Sequence, residues 1–182
     1  MEAEEEVSSL NLVYLQSKIP SISAWIQDTI TRNTGNAQFI ADLHFPRLPN
    51  YYSPGLLSLA KVIVIDRVPI PPLSAMGLTD FAKFERTSFD GITYKDTYFV
   101  RKDHASHESI HLHELVHVIQ WRELGVEAFL LAYAKGLYER GYRNSPLEDM
   151  AYRHQQRFQT NLQPYNVESE VAREIQAMKY SV

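Results

Sequence analysis

The hydrophobic pattern changes period along the chain, and each change marks an element. Between residues 7 and 32, Leu10, Leu12, Val13, Leu15, Ile19, Ile22, Trp25, Ile26 and Ile30 recur at helical intervals around an interruption at Pro20. The spacing predicts two short helices, with Ser21 and Ser23 available to cap the second. Residues 34–54 carry Gly35, Asn36, Pro46, Pro49, Asn50 and Pro54, the composition of turns, with one short apolar segment at 39–43. The run Lys61-Val62-Ile63-Val64-Ile65-Asp66 is β-branched, is followed by Pro69, Pro71 and Pro72, and predicts a strand. Segments 84–89 and 92–100 flank Asp90-Gly91, the strongest short hairpin signal in the chain, while Lys95-Asp96 marks a bulge or a second turn. Three strands in a small antiparallel or mixed sheet are expected. Such a sheet offers an edge for an extended peptide unless that edge is covered.

From Ile110 the pattern is helical almost to the end. Leu112, Leu115, Val116, Val118 and Ile119 make the stretch 110–121 apolar nearly all round, as a buried helix reads. A second helix spans 127–140 and stops before Gly141, and a third begins at Ser145-Pro146-Leu147-Glu148 with serine at the cap and proline at the first helical position. A last amphipathic helix over 167–179 aligns Val171, Ile175 and Met178. The expected fold class is α+β, mainly helical, with the small sheet packed on helix 110–121. One domain over 1–182 is expected: a helical region at 1–60, the sheet at 61–100 and the helices at 106–182.

The polar residues inside the buried helix point to chemistry. In His113-Glu114-Leu115-Val116-His117 the two imidazoles lie one turn apart, with about 40° between their directions, and meet one metal ion. Glu114 is rotated about 100° from His113, beside that metal without ligating it, where it accepts a proton from water. Three polar residues in an apolar helix need a shared partner. A second copy of the pattern, His107-Glu108-Ser109-Ile110-His111, lies roughly 120° or more around the helix and cannot share the metal. Its polar surroundings predict a solvated first turn with Ser106 as cap.

Composition narrows the ligand set. The 182 residues contain no cysteine, so a metal is held by His, Asp or Glu. Net charge is −4 with no basic block, which argues against nucleic acid and anionic membranes as partners. The first residues, Met1-Glu2-Ala3-Glu4-Glu5-Glu6, are acidic and no apolar run is long enough to span a bilayer, so a cytoplasmic location is expected. A hydrolytic zinc site wants three protein ligands and one open position. Glu148, at the start of a helix that follows a helical hairpin, is the best third ligand, with Ala151 small enough to let that helix approach. Asp149, about 100° away, is the alternative. His44 stands alone, and His154 lies about 240° around the helix from Glu148, pointing away from the metal.

The combination resembles the gluzincin branch of zinc metallopeptidases, on His113-Glu114-Leu115-Val116-His117, the turn at Gly141-Tyr142, Ser145-Pro146-Leu147-Glu148 and Ala151. Within that branch the likeness is to the small bacterial metallopeptidase-like domains, including those associated with contractile injection systems, over roughly residues 60–160. The resemblance implies Zn2+ held by His113, His117 and Glu148, with Glu114 as general base and acid in peptide hydrolysis. Many gluzincins carry an aspartate four residues after the ligand glutamate. This chain has Tyr152 there, a phenol without a carboxylate's charge. Tyr142 and Tyr152 are the candidates for stabilising the oxyanion. Two functions follow: a zinc-dependent metallopeptidase acting on a peptide or protein substrate, or a catalytically silent zinc-binding domain that serves as an interaction or effector module.

Overall fold

The computed structural model describes residues 2–179, with side chains from residue 13 to residue 178. Met1 and residues 180–182 lie outside the described residues, as do the side chains of Leu10 and Leu12. The fold is α+β: seven helices and a four-stranded mixed sheet among the described residues.

The chain enters as one long helix, α1 (Glu2–Asn33), where the sequence predicted two. Leu15, Ile19, Ile22 and Ile26 are buried at spacings of 4, 3 and 4 straight through Pro20, which itself faces solvent. A continuous apolar stripe has overridden the missing hydrogen bond and the ring clash that a mid-helix proline imposes.

The region expected to hold turns and a short segment at 39–43 supplies a further strand slightly earlier, β1 (Ala37–Phe39), followed by helix α2 (Pro54–Leu59), which Ser53 caps by accepting from Leu56 N. Strand β2 (Lys61–Ile65) falls where its β-branched run predicted. The hairpin is displaced from its expected site. Residues 82–86 form a short helix, α3 (Ala82–Arg86), not a strand. Strands β3 (Gly91–Tyr94) and β4 (Thr97–Arg101) turn at Lys95-Asp96, with Lys95 left-handed at φ 62°. Asp90-Gly91 is no turn, because Gly91 pairs with Val100 and Asp90 O accepts from Arg101 N at 2.8 Å, which extends the ladder through it. Ala82, Lys83, Glu85 and Arg86 favour helix, and Glu85 is further occupied in accepting from Ser74 N and Oγ.

The sheet order is β1-β2-β4-β3, with β2 and β4 parallel and the outer pairs antiparallel. Helix α4 (Glu108–Leu124) packs on β3 and β4, and also on the three remaining helices, α5 (Val126–Arg140), α6 (Pro146–Thr160) and α7 (Val167–Lys179). Every residue of α4 from His111 to Trp121 is buried, as its all-round apolar pattern demanded. Tyr52 donates to Leu112 O from below, and Trp121 Nε1 donates to Thr93 O, fixing β3 to the helix.

The start of α4 differs from expectation. The cap position is His107, not Ser106, and no side chain caps it. Glu108 instead accepts from the backbone of Arg47 and Leu48. The upstream copy is solvated at its start, where Ser106 and His107 are exposed, but not at its end: His111 is fully buried, with Nδ1 against Tyr98 Oη at 2.7 Å and Nε2 against Ala105 O at 2.8 Å. Both ring nitrogens are spoken for, and His111 is a satisfied core histidine. His44 is exposed, and His154 is directed at Tyr165 and Glu174.

Candidate metal centre

Three donor atoms converge where α4 meets the first turn of α6. His113 Nε2 and His117 Nε2 are 3.2 Å apart. Glu148 places Oε2 3.4 Å from the first and Oε1 3.3 Å from the second. Among the described residues this trio is the group of metal-ligating side chains whose donor atoms lie within 4.8 Å of one another. Asp149 turns outward to Arg153. The centre is deeply enclosed, with relative exposures of 5, 4 and 2% for His113, His117 and Glu148.

The surrounding hydrogen bonds fix what these atoms offer. Gln120 gives its Nε2 to Leu147 O, which leaves its Oε1 to face His117 Nδ1 at 2.7 Å. Gln155 Oε1 faces His113 Nδ1 at 3.1 Å. An amide oxygen only accepts, so each histidine carries its proton on Nδ1 and turns the lone pair of Nε2 inward. Two lone pairs and a carboxylate then face one another, and Glu148 Oε2 is buried without a hydrogen-bond partner. His113 Nε2 is close to that oxygen but has no proton to give it. Three acceptors around one buried point call for a positive charge, and the residues present fit a cation.

The electrostatics tell the same story. Burial opposes charge on His117, but Glu148 outweighs it and draws the imidazole up to about 9. Burial likewise opposes ionisation of Glu148, yet His117 and His113 hold its carboxyl well below the usual carboxylate range.

Glu114 stands beside the trio, buried on the face of α4 that meets β3. Thr93 Oγ1 donates to its Oε2 at 2.7 Å. A Cβ built on Gly91 would stand 2.4 Å from its Oε1, so only glycine at that point of β3 leaves room for the carboxylate. Burial pushes the Glu114 carboxyl up, against the opposing pull of His113, His117 and the Thr93 bond.

The two tyrosines proposed for the oxyanion lie differently. Tyr142 borders the same cavity as Glu114, His117 and Glu148, and its ring packs 4.8 Å from that of Phe89. Tyr152 lies edge-on to His113 at 4.5 Å between ring centres, with the Arg143 guanidinium 3.6 Å over its other face. It packs against the His113 ring, whose Nδ1 donates to Gln155 Oε1.

Sequence reasoning missed four neighbours. Gln120 lies three residues after His117 and Gln155 seven after Glu148, spacings that place each on its ligand's own helix face, so both were open to discovery. Thr93 and Tyr133 gave no such signal. Tyr133, on α5, donates to Glu148 Oε1 at 2.7 Å, a contact set by the path of the helical hairpin. Comparison with known proteins adds no assignment: no family model, no curated protein and no solved structure matches the chain. Among the described residues, no helix is long and apolar enough to cross a membrane.

Proposed function

We propose that the protein is a zinc-dependent metallopeptidase of the gluzincin pattern, with His113, His117 and Glu148 as ligands and Glu114 as general base. The observation that carries the reading is the set of three inward-facing acceptors, one of them the unpartnered Glu148 Oε2, with a second, separately held carboxylate at their side. A zinc ion, when bound, supplies a Lewis acid that polarises a carbonyl and acidifies water. Glu114 takes a proton from the attacking water and returns it to the leaving nitrogen. Thr93 holds Oε2 still during that exchange, and Oε1 is left over Gly91 to carry the proton. A carboxyl raised by burial suits both halves of the task. Gln120 and Gln155 keep the imidazole lone pairs aimed inward. Tyr142, on the wall of the cavity, is the candidate donor to a developing oxyanion.

The enclosure of the centre favours a second reading, a zinc-binding domain without catalysis that acts as an interaction or effector module. Metal analysis of the purified protein and of Glu114→Gln, each incubated with a broad peptide library read by mass spectrometry, separates the two. Zinc in both proteins with cleavage only by the parent is the expected result. Zinc in both with cleavage by neither, of library peptides or of their N-decanoyl forms, favours the silent domain, and absence of stoichiometric zinc rejects both readings.

A further inference from the structure

We propose that the cavity beside the metal centre binds a long unbranched apolar chain, the acyl half of an amide whose carbonyl is delivered to His113, His117 and Glu148. The inference rests on the metal-hydrolase reading and adds a substrate class to it.

The cavity has about 840 Å³ of empty space, part of it open to solvent. Its carboxylates and its imidazole, those of Glu114, Glu148 and His117, all belong to the centre itself. The other polar atoms of its wall are almost all engaged already. Thr93 donates to Glu114, Tyr133 to Glu148, Tyr94 to Pro69 O and Trp121 to Thr93 O. Away from the centre the wall is aliphatic and aromatic, contributed by α1, α5 and the segment between β2 and β3. A polypeptide backbone drawn into such a space would bury N–H and C=O groups with nothing to pair them. A ligand that is polar at one end and hydrocarbon along the rest matches the lining.

Length separates an acyl chain from a single apolar side chain. Leu15, Leu78, Phe81 and Ala134 wall the cavity and also wall an outer cavity of about 720 Å³, which is bordered by Asp80, Lys135 and Glu139. The two cavities therefore lie back to back between α1 and α5, with these four apolar side chains between them. A single side chain fills the inner cavity, whereas a chain of many methylenes reaches this apolar partition and, where Leu15 and Leu78 give way, the outer cavity. In the reaction, water adds its oxygen to the acyl carbon, the carbon–nitrogen bond breaks, and the proton taken by Glu114 passes to the nitrogen. The products are a long-chain carboxylic acid and an amine.

The test measures binding of straight-chain hydroxamic acids, from acetyl to decanoyl, to the zinc-loaded protein by calorimetry. The hydroxamate head reports on the metal and the tail on the cavity. Affinity is expected to rise about fourfold per methylene over the series, the value for a fully buried CH2. In Ala134→Trp, which fills the wall common to both cavities, the increments collapse while zinc content stays stoichiometric. The parent protein is also expected to hydrolyse an N-decanoyl peptide at least tenfold faster, by kcat/KM, than the N-acetyl form. Zinc and acetohydroxamate binding with no chain-length dependence overturns this inference and leaves the metal centre standing. Tighter binding by hydroxamates of leucine or phenylalanine than by any straight chain assigns the cavity to a side chain and overturns it also. Failure to bind zinc or acetohydroxamate at all overturns the metal-hydrolase reading and this inference with it.

Discussion

At the scale of single residues, the convergence of His113, His117 and Glu148 was legible because two of the three follow from local spacing and the third from a helix start. His113 and His117 share a helix face by arithmetic, and Glu148 lies behind a serine-proline helix start that fixes where its turn begins. The support around them was less so. Gly91 was read as half of a hairpin turn, yet its φ is not left-handed, and its lack of a side chain serves Glu114 instead. Gly91→Ala puts a methyl group where Oε1 stands, and the carboxylate has to swing off Thr93. Zinc content is expected to be unchanged while peptide cleavage falls about a hundredfold, the cost of a misplacement near 1 Å. Zinc analysis beside a cleavage assay checks both halves. Loss of zinc, or cleavage at the parental rate, would contradict the role given to the glycine.

At the scale of elements, α5 and α6 meet at a second glycine. A Cβ on Gly136 would come within 2.9 Å of Pro146 Cδ and of Ser145 Cβ. Alanine there is the better helix former by about 1 kcal/mol, yet it pushes the start of α6 outward and takes Glu148 with it. Gly136→Ala is expected to lower zinc affinity at least tenfold by chelator competition, with far-ultraviolet dichroism unchanged. The long first helix supports the opposite kind of prediction. Pro20 is exposed and its neighbours Ile19 and Ile22 are buried, so Pro20→Ala restores a backbone hydrogen bond without disturbing the stripe. Stability to urea is expected to rise by up to about 3 kcal/mol. These elements also show where pattern reading stops. The helices from α4 onward were legible because their breaks and periods agree. The break at Pro20 and the turn at Asp90-Gly91 were local signals overruled by packing against distant residues, and β1 gave almost no signal because its three residues gain their partners only by pairing with β2.

For the whole molecule, acid is the informative stress. Burial lowers the pKa of His154, against the pull of Glu174, and burial lowers that of His111 as well. In each case the unfolded chain takes up a proton at higher pH than the folded one. The contribution to stability is therefore intact above about 6.5 and is lost as pH falls below it. Below about pH 6.5 the raised His117 no longer adds stability on acidification. There His154 and His111 are expected to lower it in urea unfolding down to about pH 5, by at most about 1.4 kcal/mol per pH unit each, with the raised Glu114 carboxyl offsetting part of the loss. His154→Gln, which keeps partners for Tyr165 and Glu174, is expected to make the decline shallower. An unchanged slope would mean that His154 titrates alike in both states.

The parallel pairing of β2 with β4 has a consequence for the buried centre. Because these strands run the same way, the chain between them travels back across the molecule, and it is on this return journey that Leu73, Leu78, Phe81, Phe84 and Phe89 are laid against the cavity. That span is moored at Ile65 and at Gly91, in two strands of a single hydrogen-bonded sheet. A span held at both ends by one sheet is tied like a strap across the cavity, so a change anywhere along it is felt at the wall of the centre.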